Sequence, residues 1–98
     1  MRPSQVRLDP IPDGSYGFRS YRGAVDADAP LADIDARYEI SGVVTITGDV
    51  AVVTMTQGRI PMAAWSDFDA ELRRLGARFA IWVRHRADGS RKPVVRAL

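Results

Sequence analysis

Residues 38 to 56, YEISGVVTITGDVAVVTMT, decide how the rest of the chain is read. Tyr38, Ile40, Gly42, Val44 and Ile46 share one side of an alternating segment, and Glu39, Ser41, Val43, Thr45 and Thr47 share the other. That period of two belongs to a strand with one buried face. Gly48-Asp49 supplies a two-residue turn with glycine at its first central position, and residues 50 to 56 return. Pairing Thr47 with Val50 sets Ala51, Val53 and Met55 beside Ile46, Val44 and Gly42. Turn and alternation agree on one register, which predicts a β-hairpin.

Moving toward the C-terminus, Gln57-Gly58 breaks the alternation and a helical period begins beyond Pro61. Trp65, Phe68, Leu72 and Leu75 recur at spacings of three, four and three, so one apolar stripe is predicted on a helix of about 64–75. Asp67, Asp69 and Glu71 stand near its start and Arg73 and Arg74 near its end, as the helix dipole prefers. Ser66 is the expected N-cap and Gly76 the expected terminator. A helix of about three turns is marginal alone, so the stripe has to be buried on a sheet.

The period returns to two in residues 78 to 97, RFAIWVRHRADGSRKPVVRA, where Asp88-Gly89 signals a second hairpin. A two-residue loop would pair Arg86 with Arg91 and Val83 with Val94. This register places Trp82, Arg84, Arg86, Arg91 and Val95 on an outer face and the aliphatic Phe79, Ile81 and Val83 beneath the helix. Pro93 cannot donate to a ladder, so the last strand should be an edge or be bulged there.

Toward the N-terminus, Pro3, Pro10, Pro12 and Asp13-Gly14 read as an extended arm over residues 1–15 that ends in a turn. Residues 16–22 read as a short edge strand, and the acidic DADAPLADIDA, 26 to 36, as a loop with one helical turn near 31–36. The expected fold is therefore α+β in a single domain, 16–98. It consists of a small antiparallel sheet of two hairpins, about 38–56 and 78–97, edged by residues 16–22 and covered by one helix. The order of two strands, helix and two strands, with LRRLGARFAIWVRH following the helix, resembles part of an acetyltransferase core. The resemblance would imply a pyrophosphate-binding glycine and arginine run before the helix; this chain has GRIPMAA there, in which that run is not recognisable.

At 98 residues and 46% hydrophobic content the chain is sized for one core. It has no cysteine, so no disulfide, thiolate nucleophile or cysteine-based metal site can be built. The first residues lack the apolar run of a signal peptide, and no stretch nears the roughly 20 apolar residues of a bilayer span. A soluble cytoplasmic protein without membrane insertion is expected. The net charge of +2 is unevenly spread: residues 1 to 58 hold 5 basic and 8 acidic groups, and residues 59 to 98 hold 9 basic and 4 acidic groups. Basic groups concentrated in the last third suit an acidic partner.

Trp82, Arg84, His85, Arg86, Arg91, Lys92 and Arg96 are accordingly the candidate partner-binding residues. Arginines beside an aromatic can clamp phosphates, stack on bases or hold carboxylates. Arg86 opposite Arg91 would be locally unfavourable, which favours a functional reason for the pair. His85 is the sole histidine, and no carboxylate is identified to orient it as a base. Asp26, Asp28, Asp33 and Asp35 lack calcium-loop spacing and its central glycine, so a solvated acidic loop is expected. Tyr16, Phe18 and Tyr21, with Arg19 and Arg22, could form an aromatic platform, with Tyr21 on the exposed side. No catalytic residue, metal ligand or cofactor is assigned. The expected function is a non-enzymatic binding or self-association domain that engages an acidic protein surface. The alternatives are nucleic-acid binding and a small acyl- or nucleotide-dependent enzyme with its site at the helix start or a dimer interface.

Overall fold

The computed structural model describes residues 2–57, 60–85 and 88–98, and the side chains of all of these except 55–57, 84 and 85. Six strands form one mixed sheet in sequential order: β1 (Pro3–Pro10), β2 (Tyr16–Asp26), β3 (Tyr38–Thr47), β4 (Val50–Gln57), β5 (Phe79–His85) and β6 (Arg91–Ala97). One helix, α1 (Trp65–Arg74), follows a 3-10 turn at Met62–Ala64, and a second 3-10 turn spans Leu31–Asp33. The molecule is thus mostly sheet with a single short helix.

The β3–β4 register is the one its turn dictates, with Thr47 opposite Val50, Ile46 opposite Ala51, Val44 opposite Val53 and Gly42 opposite Met55. Gly48 takes φ +62°, as a turn with glycine first requires. Gly42 has a separate role. A Cβ there would collide with the Thr54 carbonyl oxygen and the Phe18 ring, so the missing side chain is the space Phe18 occupies.

Three expectations are corrected. The sheet is not wholly antiparallel: β4 and β5 run parallel, with Val50, Ala51 and Val52 opposite Phe79, Ala80 and Ile81. A strand that leaves the sheet through a helix and returns beside itself gives a parallel pair. Residues 16–22 are not an edge, because β2 lies between β1 and β3 and extends to Asp26. The outer strand is instead β1, within the segment read as an arm, and Val6 on it is fully buried. Pro3 and Pro10 stand at the two ends of that edge strand, where a missing N–H is tolerated. A register shift between Ser4 and Val6 is stabilised by the Ser4 hydroxyl, which donates to the Val6 carbonyl at 2.7 Å and accepts the Val6 N–H at 3.1 Å.

Helix α1 lies on the sheet through Phe68 and Leu72, both buried, and through Trp65. The Phe68 ring sits 5.1 Å from that of Phe18 and 5.8 Å from that of Trp65. The core joins Val6, Phe18, Val44, Ala51, Val53 and Ala80 from five strands to this stripe. Ser66 is inside the helix and not its cap; Ala64 holds the N-cap position without a side-chain bond. Gly76 ends the helix with φ +90°, its N–H bonding the Arg73 carbonyl at 2.9 Å while the Ala77 N–H bonds that of Leu72 at 3.2 Å. Asp67 accepts the Gln5 backbone N–H at 2.8 Å, and Glu71 pairs with Arg2, so the helix also clasps the outer strand.

Candidate functional site

The decisive geometry lies in β5 and β6. Trp82 is opposite Val94, Val83 opposite Pro93, Arg84 opposite Lys92, and His85 opposite Arg91. This register is one residue away from that of a two-residue loop: Arg91 stands opposite His85, and Arg86, its expected partner, lies outside the described residues. The cause is local. A two-residue Asp-Gly turn of the common hairpin type needs positive φ at both central residues. Gly89 has φ +85°, but among the described residues no side-chain-bearing residue has positive φ. Asp88 instead accepts the Ser90 N–H at 2.9 Å and the Ser90 hydroxyl at 2.6 Å. These two bonds hold the Asp88 carboxyl below its ordinary pKa, the hydroxyl bond being the larger cause.

A one-residue slip exchanges the partners available to every side chain across a pair of strands. The inner side holds Ala80, Trp82, Val94 and Arg96, beneath the helix, while Phe79, Ile81, Val83, Pro93 and Val95 take the open side. In β5 the expected outer and inner faces are reversed, because the parallel pairing with β4 sets Ala80 beside the buried Ala51. Trp82 is half-buried against the core, its ring 5.3 Å from that of Trp65. The Arg96 guanidinium lies 5.2 Å from the Trp65 ring centre and donates to Asp69 Oδ2 at 2.7 Å. The Asp69 side chain is only 7% exposed, so this cation answers a buried carboxylate, and Asp69 Oδ1 has no hydrogen-bond partner among the described residues.

The remaining candidates separate. Arg91 and Lys92 are exposed on β6. Arg84 and His85 occupy paired backbone positions on β5, with side chains outside those described, and Arg86 lies outside the described residues. Tyr21, expected to be exposed, is buried, and burial raises its pKa; it lies beside Arg7 and Arg19 on the side of the sheet opposite Phe18. Phe18 is fully buried and Tyr16 packs on the core, so the three aromatics form no free platform. Asp26 and Asp28 are engaged by Arg2, through its backbone N–H and its Nε respectively. Among the described residues no group of His, Asp or Glu side chains is arranged to hold a metal.

What the sequence did not single out is the open face itself. Val52 is opposite Ile81 and Ile81 is opposite Val95, so these three form one row across β4, β5 and β6. Phe79 and Val83 flank that row on the same face. Phe79 is 41% exposed, Val52 42%, Val83 47% and Val95 65%. The signal was present as the run of aliphatic residues at 79, 81 and 83, but it was assigned to the helix side. The opposite half of the same face is polar: the buried Arg7 donates to Asp9 Oδ1 at 2.8 Å and to the Asp26 carbonyl at 2.6 Å, and Arg19 stands 5.5 Å from the Tyr38 ring centre. The Asp9 carboxylate raises the pKa of the Arg7 guanidinium, fixing its charge.

Two open grooves lie away from the apolar strip. One, of about 540 Å³, is lined by Tyr21, Arg22, Gly23, Arg37, Tyr38 and Glu39 among others, and a smaller one of about 220 Å³ lies between Arg2 and Arg74 at the β1–α1 contact. Neither holds a nucleophile paired with a base. No described helix is long and apolar enough to cross a membrane. Compared with protein-family models, curated proteins and solved structures, the chain finds no match.

Proposed function

We propose that this chain is a small non-enzymatic binding domain whose working surface is the open face of β4, β5 and β6. The partner is a protein surface with an apolar centre. One observation carries the reading: four large apolar side chains, Val52, Phe79, Val83 and Val95, are each about half exposed on adjoining positions of one sheet face. Such a contiguous strip is characteristic of an interaction site, whereas exposed apolar residues scattered singly are ordinary. Arg91, opposite His85 on the open side, adds a polar margin at one end of the strip.

Nucleic-acid binding draws less support, because Trp82 stacks on Trp65 and Arg96 is engaged by Asp69, leaving neither for a base or a phosphate. A cytoplasmic setting belongs to the same proposal. The test is a photo-crosslinking residue placed at position 83 in cells making the protein, with position 62 as control, since Met62 is 89% exposed but stands apart from the strip. Discrete adducts from position 83 alone are expected. Equal labelling from both positions, or none from either, would refute the assignment of this face.

A further inference from the structure

We infer that the occupant of the open β4–β6 face is a second copy of this chain, packed face to face through the strip of Val52, Phe79, Ile81, Val83 and Val95. The inference rests on the preceding reading of that face as a docking surface. Three observations lead from an exposed strip to this occupant.

The first is shape. The strip follows three neighbouring strands and its side chains rise from a continuous ladder, while both described grooves are elsewhere. A strip that follows the ladder of three neighbouring strands suits a second sheet stacked at about 10 Å. The same β-branched surface on both partners is self-complementary about a twofold axis, the commonest symmetry of soluble oligomers.

The second is area. The exposed parts of the strip amount to roughly 400 Å² of apolar surface, within the range of the largest patches on ordinary monomers. Stable interfaces cover about 800 Å² on each partner, with an apolar core inside a polar rim. Thr45, Thr47 and Thr54 on the β3–β4 side and Arg91 on the β6 side supply that rim. A six-stranded sheet with one ten-residue helix has a cover for only one of its faces. Another copy provides the missing layer.

The third is the closure of other routes. Edge-to-edge pairing is obstructed at β6 by Pro93 and the cations Arg91, Lys92 and Arg96, and at β1 by Pro3, Pro10 and the Asp67 carboxylate on the Gln5 N–H. The strip itself carries no charged side chain, so two copies meet at its centre without like-charge repulsion.

The experiment measures solution mass against protein concentration for the full chain and for Val83→Glu and Val95→Glu, with circular dichroism to verify folding. Both substituted side chains are about half exposed or more, so each variant is expected to keep the monomer fold. The wild-type mass is expected to rise from 10.8 kDa to twice that value over micromolar concentrations, and each variant should require at least tenfold more protein. Because the chain has no cysteine, Val95→Cys provides a second readout: a spin label there should report a short distance to its counterpart. A mass of 10.8 kDa at every concentration up to the millimolar range overturns self-association. Adducts to another protein from position 83 would then preserve the docking reading, and their absence would end both. Doubling that is equal in wild type and variants, or a label pair with no short distance, overturns this face as the seat of the second copy.

Discussion

The β3–β4 and β5–β6 pairs have similar sequence signals, alternating residues around a short glycine-containing turn, yet only the first folds in the register its turn suggests. Gly48-Asp49 needs one positive φ, which the glycine supplies. Asp88-Gly89 would need two, and Asp88 instead uses its carboxylate to bind Ser90. A single residue of turn chemistry then shifts which residues of β6 stand beside those of β5, while the pairing of Ala80 with the buried Ala51 sets which side of β5 is inside. In β3 the large aliphatics Ile40 and Val44 lie in the core, whereas in β5 the small Ala80 is buried and the larger Phe79 and Val83 are outside.

The strongest challenge to this contrast is Gly42→Ala. Its methyl group would meet both the neighbouring strand's backbone and the Phe18 ring, so a loss on the order of 3 kcal/mol is expected in denaturant unfolding. A near-neutral result would mean that β3 is not packed tightly there. The same substitution at two sites then compares the pairs directly. Val44→Ala should cost about 2–3 kcal/mol because the side chain is fully buried, and Val83→Ala at most about 0.5 kcal/mol in the dilute monomer. Equal losses would erase the distinction between inner and outer strands.

Arg96→Ala tests whether the inner side of β6 is as described. It leaves Asp69 buried without its cation, and a loss of about 1–2 kcal/mol is expected, reduced from that of a fully buried pair because the Arg96 side chain is 43% exposed. Retention of full stability would place Arg96 on the solvent side after all. The smallest effect concerns the turn. Ser90→Ala removes the hydroxyl bond that lowers the Asp88 pKa, so the carboxyl should titrate closer to its ordinary value when followed by NMR. A depressed folded-state pKa contributes stability above the unfolded value and loses it as pH falls through the folded one. The wild-type turn should therefore be weakened in acid below the ordinary carboxylate range, and Ser90→Ala should lack that added acid sensitivity. An unchanged Asp88 titration in the variant would dismiss the hydroxyl as the main cause.

The parts that could be read in advance were those governed by local periodicity. Trp65, Phe68 and Leu72 announced their common burial by spacing, and Gly76 announced the helix end. Ile40, Val44 and Ile46 likewise identified the inner side of β3. The rest depended on information that spacing does not carry. Pro3 and Pro10 argue against an interior strand but not against an edge, so β1 passed for an arm. The parallel β4–β5 pairing follows from the path of the chain through the helix, and not from any residue within either strand. At the candidate site, the arginines and tryptophan stand out by chemistry, while the spacing of Val83 with Phe79 and Ile81 suggests a core position and the side chain is 47% exposed. A valine reads the same on either side of a sheet.

The three-residue parallel contact between β4 and β5 has one more consequence. It joins an antiparallel block of four strands to a two-stranded outer unit by a narrow backbone seam, with Ala51 and Ala80 at its centre and the Trp65–Trp82 contact as its principal brace. Cooperative opening should start at that seam, where few bonds must break together. Amide protons of β5 and β6 should then exchange with solvent as a group, ahead of those in β2 and β3, so that the unit carrying the exposed strip is also the first to come away from the molecule.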